Sequence, residues 1–363
     1  MPKELRVMQM IDSLSIGGAE RVSVNYANAL AELGYKSFHC ATREEGMLKE
    51  FLRDDVEFFY MDKRSFLDKK AYKKLIVYIR EHNITIIHAH SSSFFTAVLI
   101  KLFTGIKIVW HDHYGKSEAL NERSLWALKI GSLFFSYVIS VNTLLKDWAC
   151  NNLFISKEKI AYFPNYADLD FKGDIPKLPG VNGKRIIVLA NLRAQKDHLN
   201  MLKAFKIILE DVRHKQWQLL FVGRDWDDAY SKSIKVYITT HNMSENVSIL
   251  GGRSDTAQIL KLCDIGVLSS ESEGLPVALL EYALASLAVV STNVGECNAV
   301  TNEGKVAGLV PAKDERALAK VVLKLISDKE FRKLQARDFN EYVEKNYSKK
   351  TIFKKIVEVY KSL

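Results

Sequence analysis

Short runs of consecutive apolar residues alternate along the chain with longer stretches whose apolar positions recur every three to four residues. In the first half the runs fall at residues 5–11, 36–42, 56–60, 84–88, 107–111 and 137–141. In the second half they fall at 185–190, 217–222, 247–250, 264–268 and 288–291. Runs this short and this apolar read as strands buried on both faces. Between them the spacing predicts helices, as in Val24, Ala27, Leu30 and Ala31. Strands alternating with helices predict an α/β fold built on doubly wound parallel sheets. The stretch 173–183, rich in Gly and Pro, divides two such series and reads as a linker. The expected organisation is a first domain over 1–175, a second over 176–345 and a closing helix over 346–363.

In such sheets ligands bind beyond the carboxyl ends of the strands. That weights His88, His90, His111, Asp112, His113 and Asn142 in the first half. It also weights Gly17 and Gly18, which lie between the first strand and the first helix and let a ligand approach the backbone. The glycines do not spell GxGxxG, so a nicotinamide site is weakly supported. In the second half the stretch Ser269-Ser270-Glu271-Ser272-Glu273-Gly274-Leu275-Pro276 joins a strand to a helix. A helix start offers unpaired N–H groups and a positive dipole end, a natural seat for phosphate. Glu273 lies at that turn and Glu281 eight residues on, about 12 Å along the chain at a helical rise of about 1.5 Å per residue. Two carboxylates so spaced suit the two ends of one elongated ligand better than an acid/base pair. The bland alternative makes Glu273 a dipole partner and Glu281 a solvated helix residue. Arg193 and Lys196, in the loop after the strand at 185–190, add two cations at a strand end.

Composition narrows the classes. Of 363 residues 48% are hydrophobic and 26% charged, the balance of a globular chain. The net charge of +9 favours an anionic partner, a nucleotide, a lipid headgroup or a nucleic acid. Nothing in the sequence interleaves aromatic and basic residues as a nucleic-acid binder would. Cys40, Cys150, Cys263 and Cys297 form no CxxC pair and suggest neither a zinc site nor a disulfide framework. Asp12 interrupts what would be the apolar part of a signal peptide, and no apolar run is long enough to span a bilayer. The expected location is cytoplasmic. Lys69, Lys70, Lys73 and Lys74 beside Tyr72, Leu75 and Ile76 read either as a solvated surface helix or as a basic amphipathic helix on the inner face of the membrane. His88-Ala89-His90 and His111-Asp112-His113 admit a metal-dependent hydrolase as an alternative class.

The segment 269–285, with its Glu273 and Glu281, resembles the signature of family 4 of the retaining glycosyltransferases, enzymes of the two-domain GT-B fold that use nucleotide-sugar donors. Other segments are similar to the family in turn: Gly17-Gly18-Ala19-Glu20 to its "GGAE" loop, residues 107–115 to "IVxTxH", residues 163–168 to "PNGVD" and residues 293–297 to "GGxxE". The resemblance implies two Rossmann-like domains facing across a cleft, with the last helix packing back on the first. It implies transfer of a sugar from a UDP- or GDP-linked donor to a hydroxyl of a sugar or lipid-linked glycan, with retention, in cell-surface polysaccharide synthesis. No cofactor and no metal are expected. Lys196, Arg193 and the helix start at Gly274 would stabilise the leaving diphosphate. Glu281 would hold the ribose, and Glu273 with Gly274, Leu275 and Pro276 the sugar. His113 would bond the sugar near the reacting carbon, while Gly17, Gly18, Gly223 and Arg253 would complete the donor site. Two departures stand out. Asn191 occupies the family's usual Arg position, with Arg193 two residues on, and His111 stands where a Thr is usual. A nucleotide-sugar epimerase or hydrolase of the same fold is the other alternative.

Overall fold

The structure is a computed structural model that describes residues 5–15, 17–114, 120, 123–164, 166–167, 169 and 171–363. Ile16, Gly115, Asn165 and Asp168, which belong to segments quoted above, lie outside the described residues. The chain forms two compact units, one of Met1–Asn165 with Ile352–Leu363 and one of Tyr166–Thr351.

The first unit carries strands β1 (Arg6–Ser13), β2 (Lys36–Glu44), β3 (Glu57–Tyr60), β4 (Ile86–His90), β5 (Lys107–Asp112), β6 (Tyr137–Ser140) and β7 (Ile160–Tyr162). They form one parallel sheet in the order β3-β2-β1-β4-β5-β6-β7. β7, three residues long, is too short for a sequence pattern to reveal. Helices α1 (Gly18–Glu32), α2 (Lys69–Glu81), α3 (Phe94–Thr104), α4 (Trp126–Gly131) and α5 (Thr143–Asn152) connect the strands. Both faces of β1 are covered, which is why Val7, Met8 and Met10 are wholly buried in sequence. α2 turns Ala71, Tyr72, Leu75 and Ile79 into the core and leaves its four lysines exposed. Its apolar stripe is therefore spent on the protein, and the helix does not lie apolar face down on a bilayer. The lysines remain as a solvated cationic face.

The second unit carries β8 (Arg185–Leu189), β9 (Gln218–Val222), β10 (Val247–Gly251), β11 (Ile265–Leu268), β12 (Ala288–Thr292) and β13 (Gly308–Val310), parallel in the order β10-β9-β8-β11-β12-β13. Its helices are α6 (His198–Leu209), α7 (Ala229–Thr240), α8 (Thr256–Lys261), α9 (Val277–Leu284), α10 (Cys297–Val300), α11 (Glu315–Ser327) and α12 (Lys329–Tyr347), while α13 (Lys349–Ser362) closes the chain and from Ile352 onward belongs to the first unit. The division between units falls ahead of the 175/176 boundary expected from the Gly/Pro-rich stretch. That stretch is bolted to the second unit. The guanidinium of Arg185, buried at the start of β8, donates to the carbonyls of Pro179 (2.9 Å), Gly180 (3.0 Å) and Leu262 (3.1 Å). The Gln258 amide also donates to the Lys172 carbonyl.

Candidate active site

In each sheet one pair of neighbouring strands sends its connections in opposite directions, β1/β4 in the first and β8/β11 in the second. Such switch points open a crevice at the strand ends. At β8/β11 the two loops are stitched together. Glu271 N donates to the Gln195 carbonyl (2.8 Å) and Ser269 Oγ to the Lys196 carbonyl (3.0 Å). Across this seam Lys196 Nζ meets Glu273 Oε1 at 2.6 Å, and Ser270 Oγ donates to the same oxygen at 2.6 Å. The Glu273 side chain is 7% exposed and Lys196 23%. One carboxylate oxygen is thus committed, while Oε2 has no partner among the described residues.

The adjoining helix α9 begins at Val277 with Pro276 before it and no side-chain cap. α2, α6, α7, α11 and α12 each receive a capping bond from an aspartate, and α5 from Asn142. The positive end of α9 is left uncompensated, since its first turn also lacks an acid. A Cβ built on Gly274 meets nothing within 4 Å, so this approach is open. Behind it the backbone is tightly held. Gly295 has φ +51 and a Cβ there would lie 1.9 Å from the Glu273 carbonyl. Tyr282 locks α9 to the sheet by accepting from Leu189 N (2.7 Å) and donating to the Val267 carbonyl (3.2 Å). Its ring fills the space a side chain on Gly266 would need.

Glu281, one residue earlier on α9, is half-buried, and among the described residues nothing bonds to its carboxylate. Burial pushes its carboxyl up to about 7. Arg193 does not join Lys196. Its guanidinium lies 4.7 Å over the Trp226 ring. Gly223 is a packing glycine, since a Cβ there would meet the Ala190 carbonyl at 2.1 Å. Arg253 is exposed and paired with Asp255 (2.6 Å). Leu275 is half-buried and Pro276 buried.

In the first unit the strand-end histidines form one buried cluster. Register pairs His90 with His111, and the i, i+2 spacing on β4 stacks His88 on His90 with ring centroids 4.6 Å apart. His88 Nε2 bonds His111 Nδ1 (3.1 Å), and His88 Nδ1 bonds the Tyr360 hydroxyl of α13 (2.5 Å). His90 Nδ1 bonds His113 Nε2 (3.0 Å), and His90 Nε2 bonds Gln9 Oε1 (2.8 Å). Desolvation holds all four rings neutral, His113 at about 3 and the other three well below the usual imidazole value. One ligand atom each of His88, His90 and His111 lies within 4.8 Å of the others, a spacing that a metal could bridge. The ring nitrogens of these three are instead spent on one another, His113, Gln9 and Tyr360, apart from His111 Nε2. Asp112 is buried in a bidentate pair with Arg123 (2.7 and 2.8 Å), and Asn142 caps α5. Gly17 is extended (φ −160), and a Cβ there would meet the Glu20 carboxylate at 2.2 Å, so that carboxylate lies against the start of α1, which has no side-chain capping bond; a Cβ on Gly18 meets nothing.

Comparison with known proteins bears on both units. Residues 16–171 match the model of Glycosyltransferase Family 4, and residues 174–345 match that of Glycosyl transferases group 1. This glycosyltransferase belongs to family 4. It is 24% identical over 338 residues to the Escherichia coli UDP-Gal:alpha-D-GlcNAc-diphosphoundecaprenol alpha-1,3-galactosyltransferase, covering 86% of each chain. It is 24% identical to the Staphylococcus aureus capsular polysaccharide biosynthesis glycosyltransferase CapH, over 90% of this chain and 92% of that one. Among solved structures, Anabaena HepE in complex with UDP superposes with a TM-score of 0.79 at 18% identity, over 99% of this chain and 100% of HepE. The two parallel-sheet units are those of the GT-B fold. Family membership replaces the reading of the histidine cluster as the centre of a metal-dependent hydrolase, and it disfavours an epimerase or hydrolase on the same fold. No helix of this glycosyltransferase, among the described residues, is long and apolar enough to cross a membrane.

Ser270, Gln9 and Trp226 were not singled out by sequence reasoning. Ser270 carried a signal, since it stands at the strand end three residues before Glu273. Gln9 did not, because a glutamine inside an apolar strand shows its partner only once the neighbouring strand is known. His39, also buried, bonds Ser23 Oγ (3.0 Å) and does not enter the cluster's bonds.

Proposed function

We propose that this glycosyltransferase moves a sugar from a nucleoside-diphosphate donor to a hydroxyl of a glycan or lipid-linked acceptor, retaining the anomeric configuration and using no metal ion. The observation that carries the reading is the Lys196–Glu273–Ser270 constellation beneath the uncapped start of α9. The cation and the helix dipole stand where negative charge develops on a departing diphosphate, and they supply the stabilisation a divalent ion would otherwise give. Glu273 Oε2 is left to accept from a sugar hydroxyl, and Glu281 from the ribose. Arg193 is assigned no part in the diphosphate site, because its guanidinium is stacked on Trp226. UDP as the nucleotide draws support from HepE, solved with UDP and with UDP-glucose. A lipid-linked acceptor draws support from the E. coli relative's diphosphoundecaprenol substrate. Retention is supported by family membership.

The test is UDP affinity by calorimetry, with and without EDTA, for the parent and Lys196→Met, with GDP as the comparison nucleotide. A charge-assisted hydrogen bond is worth about 1.5 to 3 kcal/mol, so the variant should bind UDP roughly ten- to a hundredfold more weakly. Affinity should be indifferent to EDTA. Equal UDP affinity in a folded Lys196→Met protein, or EDTA-sensitive binding restored by manganese, overturns the assignment.

A further inference from the structure

The histidine cluster does more than fill space, because its bonds have a direction. Gln9 Oε1 can only accept, so the nitrogen facing it at 2.8 Å, His90 Nε2, carries the hydrogen. His90 is neutral, wholly buried among other imidazoles, and has a single ring proton to give. Its Nδ1 is therefore a bare lone pair. The atom opposite that lone pair, His113 Nε2 at 3.0 Å, must then be the donor. His113 is neutral as well, so its one proton is spent inward. Among the described residues nothing bonds to His113 Nδ1.

The polarity of the relay depends on which way the Gln9 amide points, and in the structure its oxygen faces His90 Nε2 at 2.8 Å. The Gln9 amide nitrogen is buried and makes no hydrogen bond among the described residues. Tyr360 can donate to His88 Nδ1 at 2.5 Å, and His88 Nε2 in turn to His111 Nδ1 at 3.1 Å. Turning the amide over would reverse the His90 and His113 protons together.

We propose that Gln9 and His90 are positioning residues that keep the proton of His113 on Nε2, so that His113 Nδ1 meets substrate as a bare acceptor for a hydroxyl. His113 then neither donates a proton outward nor bears charge; it orients a substrate hydroxyl by accepting from it. The claim rests on the reading of His113 as a sugar-binding residue, and its test separates the two.

Protein labelled with 15N in histidine, with His113 assigned by difference from His113→Asn, reports the tautomer through two-bond proton–nitrogen correlations without any substrate. The parent should show His113 protonated on Nε2. Gln9→Met keeps the shape and removes the acceptor, and His90→Asn removes the ring; both should shift His113 away from that single form. With UDP-glucose as the probe, UDP affinity should be unchanged in Gln9→Met while kcat falls about tenfold, the scale of one misdirected hydrogen bond. His113 protonated on Nδ1 in the parent overturns the proposal. So does an unmoved tautomer in Gln9→Met together with unmoved kcat. If His113→Asn itself leaves turnover unchanged, the sugar-binding reading fails, and the NMR result still decides whether the relay sets the tautomer.

Discussion

Replacing Glu281 with Gln should stabilise the protein at alkaline pH and weaken UDP binding at the same time. The carboxyl is half-buried on α9 without a partner among the described residues, and burial lifts it from the usual 4.5 to about 7. The folded protein therefore holds this proton more tightly than the unfolded chain. Its contribution to stability is complete below about pH 4.5 and is lost as pH rises through about 7. A shift of this size converts to about 3 kcal/mol at 1.36 kcal/mol per pH unit. Solvent contact at the partly open carboxyl reduces that to about 2 kcal/mol. Gln keeps the shape and cannot ionise. Urea unfolding of parent and Glu281→Gln at pH 4, 5, 6, 7 and 8 should give curves that nearly coincide at pH 4 and diverge in the variant's favour by about 2 kcal/mol at pH 8. UDP should behave oppositely. Ribose hydroxyls donate best to the ionised carboxylate, so binding should release a proton from the parent near pH 6.5 and none from this site in the variant. Calorimetry in two buffers of different ionisation enthalpy reads that difference, and the diphosphate's own titration cancels between the two proteins. A stability difference that stays constant from pH 4 to 8, with equal proton release, would refute both the burial argument and the ribose assignment.

Two further outcomes follow from the geometry. Gly295→Ala puts a methyl carbon 1.9 Å from the Glu273 carbonyl at a left-handed φ, so the loop must move. Thermal unfolding should fall by the equivalent of about 2 kcal/mol, the scale of local backbone strain, and UDP affinity should fall with it; a variant as stable as the parent would show that the Glu273 turn is not held this way. The exposed Lys69, Lys70, Lys73 and Lys74 should draw the protein to vesicles containing anionic lipid, at about 1 kcal/mol per cation near the surface. Changing all four to Gln should abolish flotation with those vesicles while leaving the melting temperature within a degree or two, because none of the four packs in the core; flotation that persists would assign the contact elsewhere.

The alternation of apolar runs was enough to predict both sheets, because strands covered on both faces leave an unbroken apolar record. β7 and β13, at three residues each, leave none. Candidate chemistry was legible where the backbone advertises it, at a strand end followed by a helix start, as with Lys196, Glu273 and Pro276. It was not legible where pairing across strands creates it. Neither the union of Gln9 with His90, residues 81 apart, nor that of Tyr360 with His88 leaves a trace in local sequence. The resting place of Arg193 was not legible either: this loop cation, two residues from the family's position, lies over the ring of Trp226. The lysines of α2 read correctly as exposed, but the apolar residues between them could serve either a bilayer or a core, and only packing distinguishes the two.

The Arg185 clasp carries a consequence for recombination. The Gly/Pro-rich stretch is where one would cut to exchange the second unit between relatives. Its carbonyls, however, are the socket of a guanidinium rooted in β8 that also reaches the end of α8 at Leu262. A chimera joined inside 173–183 inherits a plug from one parent and part of a socket from another, and it buries an arginine whose acceptors have moved. Joined ahead of Tyr166, the stretch travels with its arginine. The portable half of this glycosyltransferase thus begins before the segment whose composition advertises a joint.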